Sequence, residues 1–161
     1  MNELLAKLSS YNLFNYLLPG TIFVILSHEF TAYSFIQSNI VLAAFLYYFI
    51  GMIVSRVGSI ILEPLLIWTG FLKFAEYSDF IAASKEDDKI ELLSEANNTY
   101  RTFCSMFILL ILLMLYKRIE QQLSFLGAWS PSIIVIGLLA LFLFSYRKQT
   151  GYIKTRIEAN K

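Results

Sequence analysis

Residues 11–29, YNLFNYLLPGTIFVILSHE, decide the fold. The stretch is apolar enough to enter lipid, yet Asn15 and the pair Pro19-Gly20 interrupt it. Two wirings follow. In the first, a helix crosses over residues 11–28 and Pro19 kinks it by removing an amide donor, which membrane helices tolerate when neighbours re-satisfy the freed carbonyl. His28 and Glu29 then reach the far interface, followed by Phe30, Tyr33 and Phe35 as an aromatic belt. In the second, residues 2–18 lie along the surface on a stripe of Leu4, Leu5 and Leu8, and Pro19 takes the favoured first position of a span over 19–36. That wiring carries His28 and Glu29 to mid-bilayer, where a carboxylate is costly and functional by default. It also leaves only residues 37–39 to turn the chain and wastes the apolar run from Leu13 to Leu18. The kinked span is the expectation. His28 and Glu29 form an intramembrane pair only if the wiring differs.

Composition supports lipid as the main solvent. The 161 residues are 57% hydrophobic and 16% charged, whereas soluble domains average about 45–50% apolar and about 25% charged. The length suits one domain. The single cysteine, Cys104, excludes an internal disulfide and a cysteine metal cluster. The start, MNELLAKLSS, has one lysine, and no small-residue cleavage site follows its apolar run, so the first segment is expected to stay in place and span.

The expected fold is all-α: an integral membrane four-helix bundle forming a single membrane domain over 1–161. Its spans fall near 11–28, 40–62, 100–116 and 129–146. Each is read against the roughly 20 residues a helix needs to cross lipid. The second block is stopped by Glu63-Pro64. The third is short and borrows Asn98–Arg101, with Arg101 snorkelling to the interface. Residues 63–99 form an interfacial and cytoplasmic helical connection with Trp68 and Tyr77 at head-group depth, and its acidic second half can run straight into the third span. Residues 147–161 form a short basic tail suited to anionic lipids. All thirteen basic residues except Lys117 and Arg118 fall on one side of this wiring. The positive-inside rule therefore places both termini in the cytoplasm, as in a multi-pass protein of a bacterial inner membrane.

Several residues qualify as candidate sites. Gly51, Ser55 and Ser59 recur every four residues with Gly58 beside them, a smooth stripe for close helix packing within the bundle or between subunits. Arg56 and Glu63 are seven apart on one face and are expected to form an interfacial ion pair. Pro19 and Gly20 mark the kink. Asn12, Asn15, Thr21 and Ser27 could line one side of a pore. Catalytic machinery is not expected. The chain has one histidine, no Gly-rich phosphate loop and no Gly-x-Ser-x-Gly, and the acids Glu86, Asp87 and Asp88 lack calcium-loop spacing. No metal, cofactor or direct nucleic-acid contact is expected.

YNLFNYLLPG at the start, SRVGSIILEPLL in the second span and LLSEANNTYRTF before the third carry a resemblance of layout. The chain resembles the small four-span bacterial membrane proteins of anti-phage immunity operons, which include CRISPR accessory membrane proteins and the transmembrane component of Kiwa-type systems. The likeness covers architecture alone and transfers no site residue. It implies a homo-oligomer that senses a membrane disturbance or perturbs the membrane together with a soluble partner. Two other functions fit the residues: a small-molecule or ion transporter with its site at the Pro19 break, and an anchor that recruits a cytoplasmic protein through Lys85–Tyr100.

Overall fold

In the computed structural model, which describes residues 13–123 and 125–159, every element is a helix. We number them in chain order. Helix α1 opens with a π-helical turn, Leu13–Leu17, and continues as Leu18–Phe30. Helix α2 runs over Ile40–Trp68, with a π-helical turn at Gly58–Leu62. Helix α3 is Tyr77–Glu86, α4 is Lys89–Gln122 and α5 is Phe125–Glu158. Three of these, α2, α4 and α5, are long and apolar enough to cross a membrane. The protein is thus a helical membrane protein by the length and composition of its elements.

The prolines explain how α1 and α2 stay continuous. A proline inside a helix lacks an N–H, and its ring collides with the carbonyl four residues earlier. A π turn bonds residue i to i+5 and so moves that carbonyl aside. Pro19 and Pro64 each follow a five-residue π turn by one residue. In α2 the widened bond is explicit, with the Glu63 amide donating to the Gly58 carbonyl. Glu63-Pro64 therefore does not stop the second block, contrary to expectation. Gly70 stops it: at φ 75° it takes the left-handed conformation in which helices commonly end. The same glycine overturns the interfacial helix expected from Pro64 onward. Residues 71–76 are non-helical, and a new helix starts at Tyr77.

Residues 13–18 belong to the same helix as Pro19, and Asn15 is fully buried against the rest of the bundle. A surface helix extending to residue 18 is excluded; residues 2–12 lie outside the described residues. His28 and Glu29 are exposed on the last turn of α1, not paired at its middle.

The acidic segment and the third apolar block form one helix, α4, whose 34 residues span about 51 Å at 1.5 Å per residue. The fourth block likewise starts before Trp129 and runs through the basic tail to Glu158. As far as Glu158 the tail is therefore the end of α5. A helix needs no break where lipid gives way to water, because all its backbone bonds are internal.

The tightest packing is between α1 and α2. A Cβ on Gly20 would fall on the Tyr47 carbonyl, and a Cβ on Gly51 would fall on the Tyr16 carbonyl. Each glycine lets the other helix's backbone close, and the edge-to-face Tyr16–Tyr48 pair flanks the crossing. Val24, Val54, Met106 and Leu110 fill the space between α1, α2 and α4. Helix α5 is seated more loosely: 6% of its most apolar window is buried within the chain, against 22% for α2 and α4. The stacked Phe49 and Phe142 rings hold it to α2.

Candidate functional site

The small-residue stripe of α2 is spent inside the chain, and its four positions meet three different helices. Gly51 meets α1. Ser55 Oγ lies 3.3 Å from Thr102 Oγ1 on α4. Gly58 leaves room for Ser105 and Arg101 of α4, whose carbons would sit 3.2 and 3.3 Å from an added Cβ. Ser59 accepts from Lys148 of α5. Any contact between subunits must use another face.

Behind this stripe lies a buried polar layer. Thr102 donates to its own helix at Asn98 O (2.8 Å) and lies 3.1 Å from Asn15 Oδ1. Ser105 donates to the Val54 carbonyl at 2.9 Å. Polar groups in hydrocarbon are costly unless partnered, and here Ser105 bonds the α2 backbone while Asn15, Ser55 and Thr102 lie within hydrogen-bond distance across α1, α2 and α4. Asn15 thus serves as a bridge between helices. Thr21 and Ser27, the other proposed lining residues, bond their own helix at Leu17 O and Val24 O. Asn12 lies outside the described residues.

At the end of this layer stands Glu63. It does not pair with Arg56, which enters no ion pair among the described residues. Glu63 Oε2 accepts from Arg101 Nη1 of α4 at 2.6 Å, and Oε1 accepts from Lys148 Nζ of α5 at 2.7 Å. Lys148 also donates to Ser59 O and Oγ at 2.8 and 2.9 Å, so all three ammonium protons have acceptors. The three side chains are only 13–26% exposed. One carboxylate thus ties three helices together. The junction keeps a net positive charge, and Arg101 Nε is buried without an acceptor. Lys148 Nζ further lies 5.6 Å from the centre of the Tyr152 ring, and Tyr152 packs on Tyr77 of α3. The expected Arg56–Glu63 pair does not form, because the extra residue of the π turn between them rotates Glu63 off the face that a regular seven-residue spacing would give it. Sequence reasoning placed Arg101 and Lys148 at block ends but did not join them to Glu63. The signal was there: all three sit at block ends that the alternating wiring places on one side.

A second polar group closes the opposite end. Glu120 Oε2 accepts from Tyr33 Oη at 2.9 Å and from Lys117 Nζ at 3.0 Å, and Lys117 lies 5.5 Å from the Tyr33 ring centre. Desolvation, with the Glu120 carboxylate beside it, pushes the Tyr33 hydroxyl from 10.0 up to about 12. Tyr116 and Ser130 hydrogen-bond across α4 and α5 near the same end.

Among the described residues no three histidine, cysteine or acidic side chains come together as a metal site. Cys104 is a free, exposed thiol. Comparison with protein-family models, curated proteins and solved structures returns no match.

Proposed function

We propose that this chain is a four-span sensor of the inner membrane, with both termini in the cytoplasm, that reports to a soluble partner in bacterial anti-phage defence. Helix α1 supplies the fourth span: residues 13–30 reach about 27 Å, close to a hydrocarbon core of about 30 Å. The antiparallel pairings favour this wiring, since Glu63, Arg101 and Lys148 meet at one end and Tyr33, Lys117 and Glu120 at the other.

The observation that carries the reading is the Glu63 junction. It clamps α2, α4 and α5 at the level where α4 and α5 leave the lipid as unbroken helices, and Lys148 continues the path to α3 through Tyr152 and Tyr77. Rigid helices held at one point transmit a tilt of the spans to their far ends, which is what a sensor needs. At those ends Leu92, Leu93, Ile153 and Ile157 are 53–67% exposed. Large apolar groups exposed in water suit a protein contact. The positive junction suits anionic head groups as the lipid contact. Homo-oligomerisation belongs to this reading, through faces other than the Gly51 stripe.

Phage challenge of cells that express the chain with its neighbouring genes tests the proposal. Protection should be lost in the Leu92→Glu/Leu93→Glu variant at unchanged membrane levels. Equal plaque counts with and without the chain would refute it, and substrate-dependent exchange in liposomes would establish transport instead.

A further inference from the structure

On the proposed wiring, eleven of the thirteen basic residues lie on the cytoplasmic side. The two exceptions, Lys117 and Arg118, are neighbours, and both line one cleft. This cleft, of about 460 Å³, lies between the end of α1 and the last turns of α4. Its size falls in the range of about 300–1,000 Å³ typical of ligand sites. Its other walls include Phe30, Ile111, Met114 and Leu115, all 42–61% exposed. One end of the cleft is therefore apolar and the other cationic.

The cations are available. Lys117 gives one proton to Glu120 and retains two more donors. Arg118 is exposed and enters no ion pair among the described residues, which leaves its fork of donors open. The dipole of α4 favours cations at this end, but it does not call for an apolar cleft beneath them. An occupant that satisfies both ends keeps its apolar part beside Ile111 and Leu115, inside the hydrocarbon, and its negative group one turn further on at the interface. Only an amphiphile does that.

We infer that this cleft binds one anionic phospholipid of the outer leaflet, with an acyl chain against Ile111, Met114 and Leu115 and the phosphate held by Arg118 and Lys117. The phosphate suits the planar guanidinium, which forms paired charge-assisted hydrogen bonds to such groups. The inference rests on the four-span wiring for the choice of leaflet, and on the cleft itself for the choice of lipid. It would make the sensor responsive to the lipid composition of the leaflet facing away from the cytoplasm.

The test equilibrates the full chain with vesicles of equal parts phosphatidylglycerol and phosphatidylcholine, re-extracts it in mild detergent and counts retained lipid by native mass spectrometry. The wild type should hold one phosphatidylglycerol in preference to phosphatidylcholine. Arg118→Gln should weaken that retention about tenfold, the size of one lost charge-assisted contact. Leu115→Trp, which fills the apolar end without touching a charge, should also displace the lipid. Free inorganic phosphate should not compete. Equal retention of the two lipids, equal retention by wild type and Arg118→Gln, or displacement by inorganic phosphate would each overturn the inference. The wiring is read separately, from impermeant labelling of a cysteine at Gln121 in a Cys104→Ser background. Labelling from outside without lipid preference removes the lipid site alone; lipid preference without outside labelling removes the wiring alone.

Discussion

Glu63→Gln tests the junction most sharply, because it keeps the side chain's shape and removes only its charge. Two charge-assisted hydrogen bonds, at 2.6 and 2.7 Å, lose their acceptor charge, and Lys148 and Arg101 are left facing each other. A hydrogen bond to a charged group contributes about 1.5–3 kcal/mol. Breaking a fully buried pair costs about 3–5 kcal/mol. Here the three side chains keep 13–26% exposure, so water partly rescues the stranded cations. The expected loss is about 2–4 kcal/mol, read from unfolding by a denaturing detergent titrated into lipid-mimetic micelles. Lys148→Met combined with Glu63→Gln should lose less than the sum of the two single changes, with a coupling of about 0.5–3 kcal/mol. A Glu63→Gln variant within about 0.5 kcal/mol of wild type, or strictly additive changes, would refute the view that this carboxylate holds three helices together. Arg56→Gln is the contrasting change. It should leave the Glu63 coupling to Lys148 intact, since Arg56 forms no part of the junction.

Further predictions concern packing, the polar layer and pH. Gly51→Ala and Gly20→Ala each drive a methyl group into a carbonyl of the facing helix, so both should lose about 1–3 kcal/mol or more in the same titration. Gly137→Ala meets nothing within 4 Å and should cost nothing, or gain up to about 1 kcal/mol from helix propensity. Thr102→Val keeps the shape but strips Asn15 and Ser55 of a partner, for a loss of about 0.6–1.7 kcal/mol. The Tyr33 latch has a definite sign. Its hydroxyl titrates at about 12 in the folded protein against 10.0 ordinarily. Its contribution is therefore complete below pH 10 and is lost as pH rises from 10 towards 12. Tyrosinate absorbance of wild type minus Tyr33→Phe should show one group ionising near the top of that window, and a group ionising near 10 would contradict the latch.

Hydropathy and charge placement carried the helical class, the apolar blocks and the continuity of the first helix through Pro19, because these depend on properties of single segments. The connection between blocks was harder to read. Pro64 has the usual marks of a helix stop, yet the π turn before it removes the steric reason for stopping, and Gly70 ends the helix instead. That choice depends on how α2 packs, which no local pattern reports. The stripe of Gly51, Ser55, Gly58 and Ser59 was visible as a close-packing surface. Its partners were not, because small residues allow approach without naming what approaches. Arg56 and Glu63 show the same limit. Sequence spacing proposed their pairing, but a π turn between them and two cations from distant helices decided otherwise.

The central claim is a chain that crosses lipid four times and returns both ends to the cytoplasm. The most direct measurement uses single cysteines at positions 28, 70, 121 and 152 in a Cys104→Ser background, treated with an impermeant thiol reagent in intact spheroplasts and again after lysis. The account predicts labelling at 28 and 121 from outside, and at 70 and 152 only once the membrane is opened. Positions 28 and 70 reacting on the same side, or position 28 staying protected in both conditions, would contradict it.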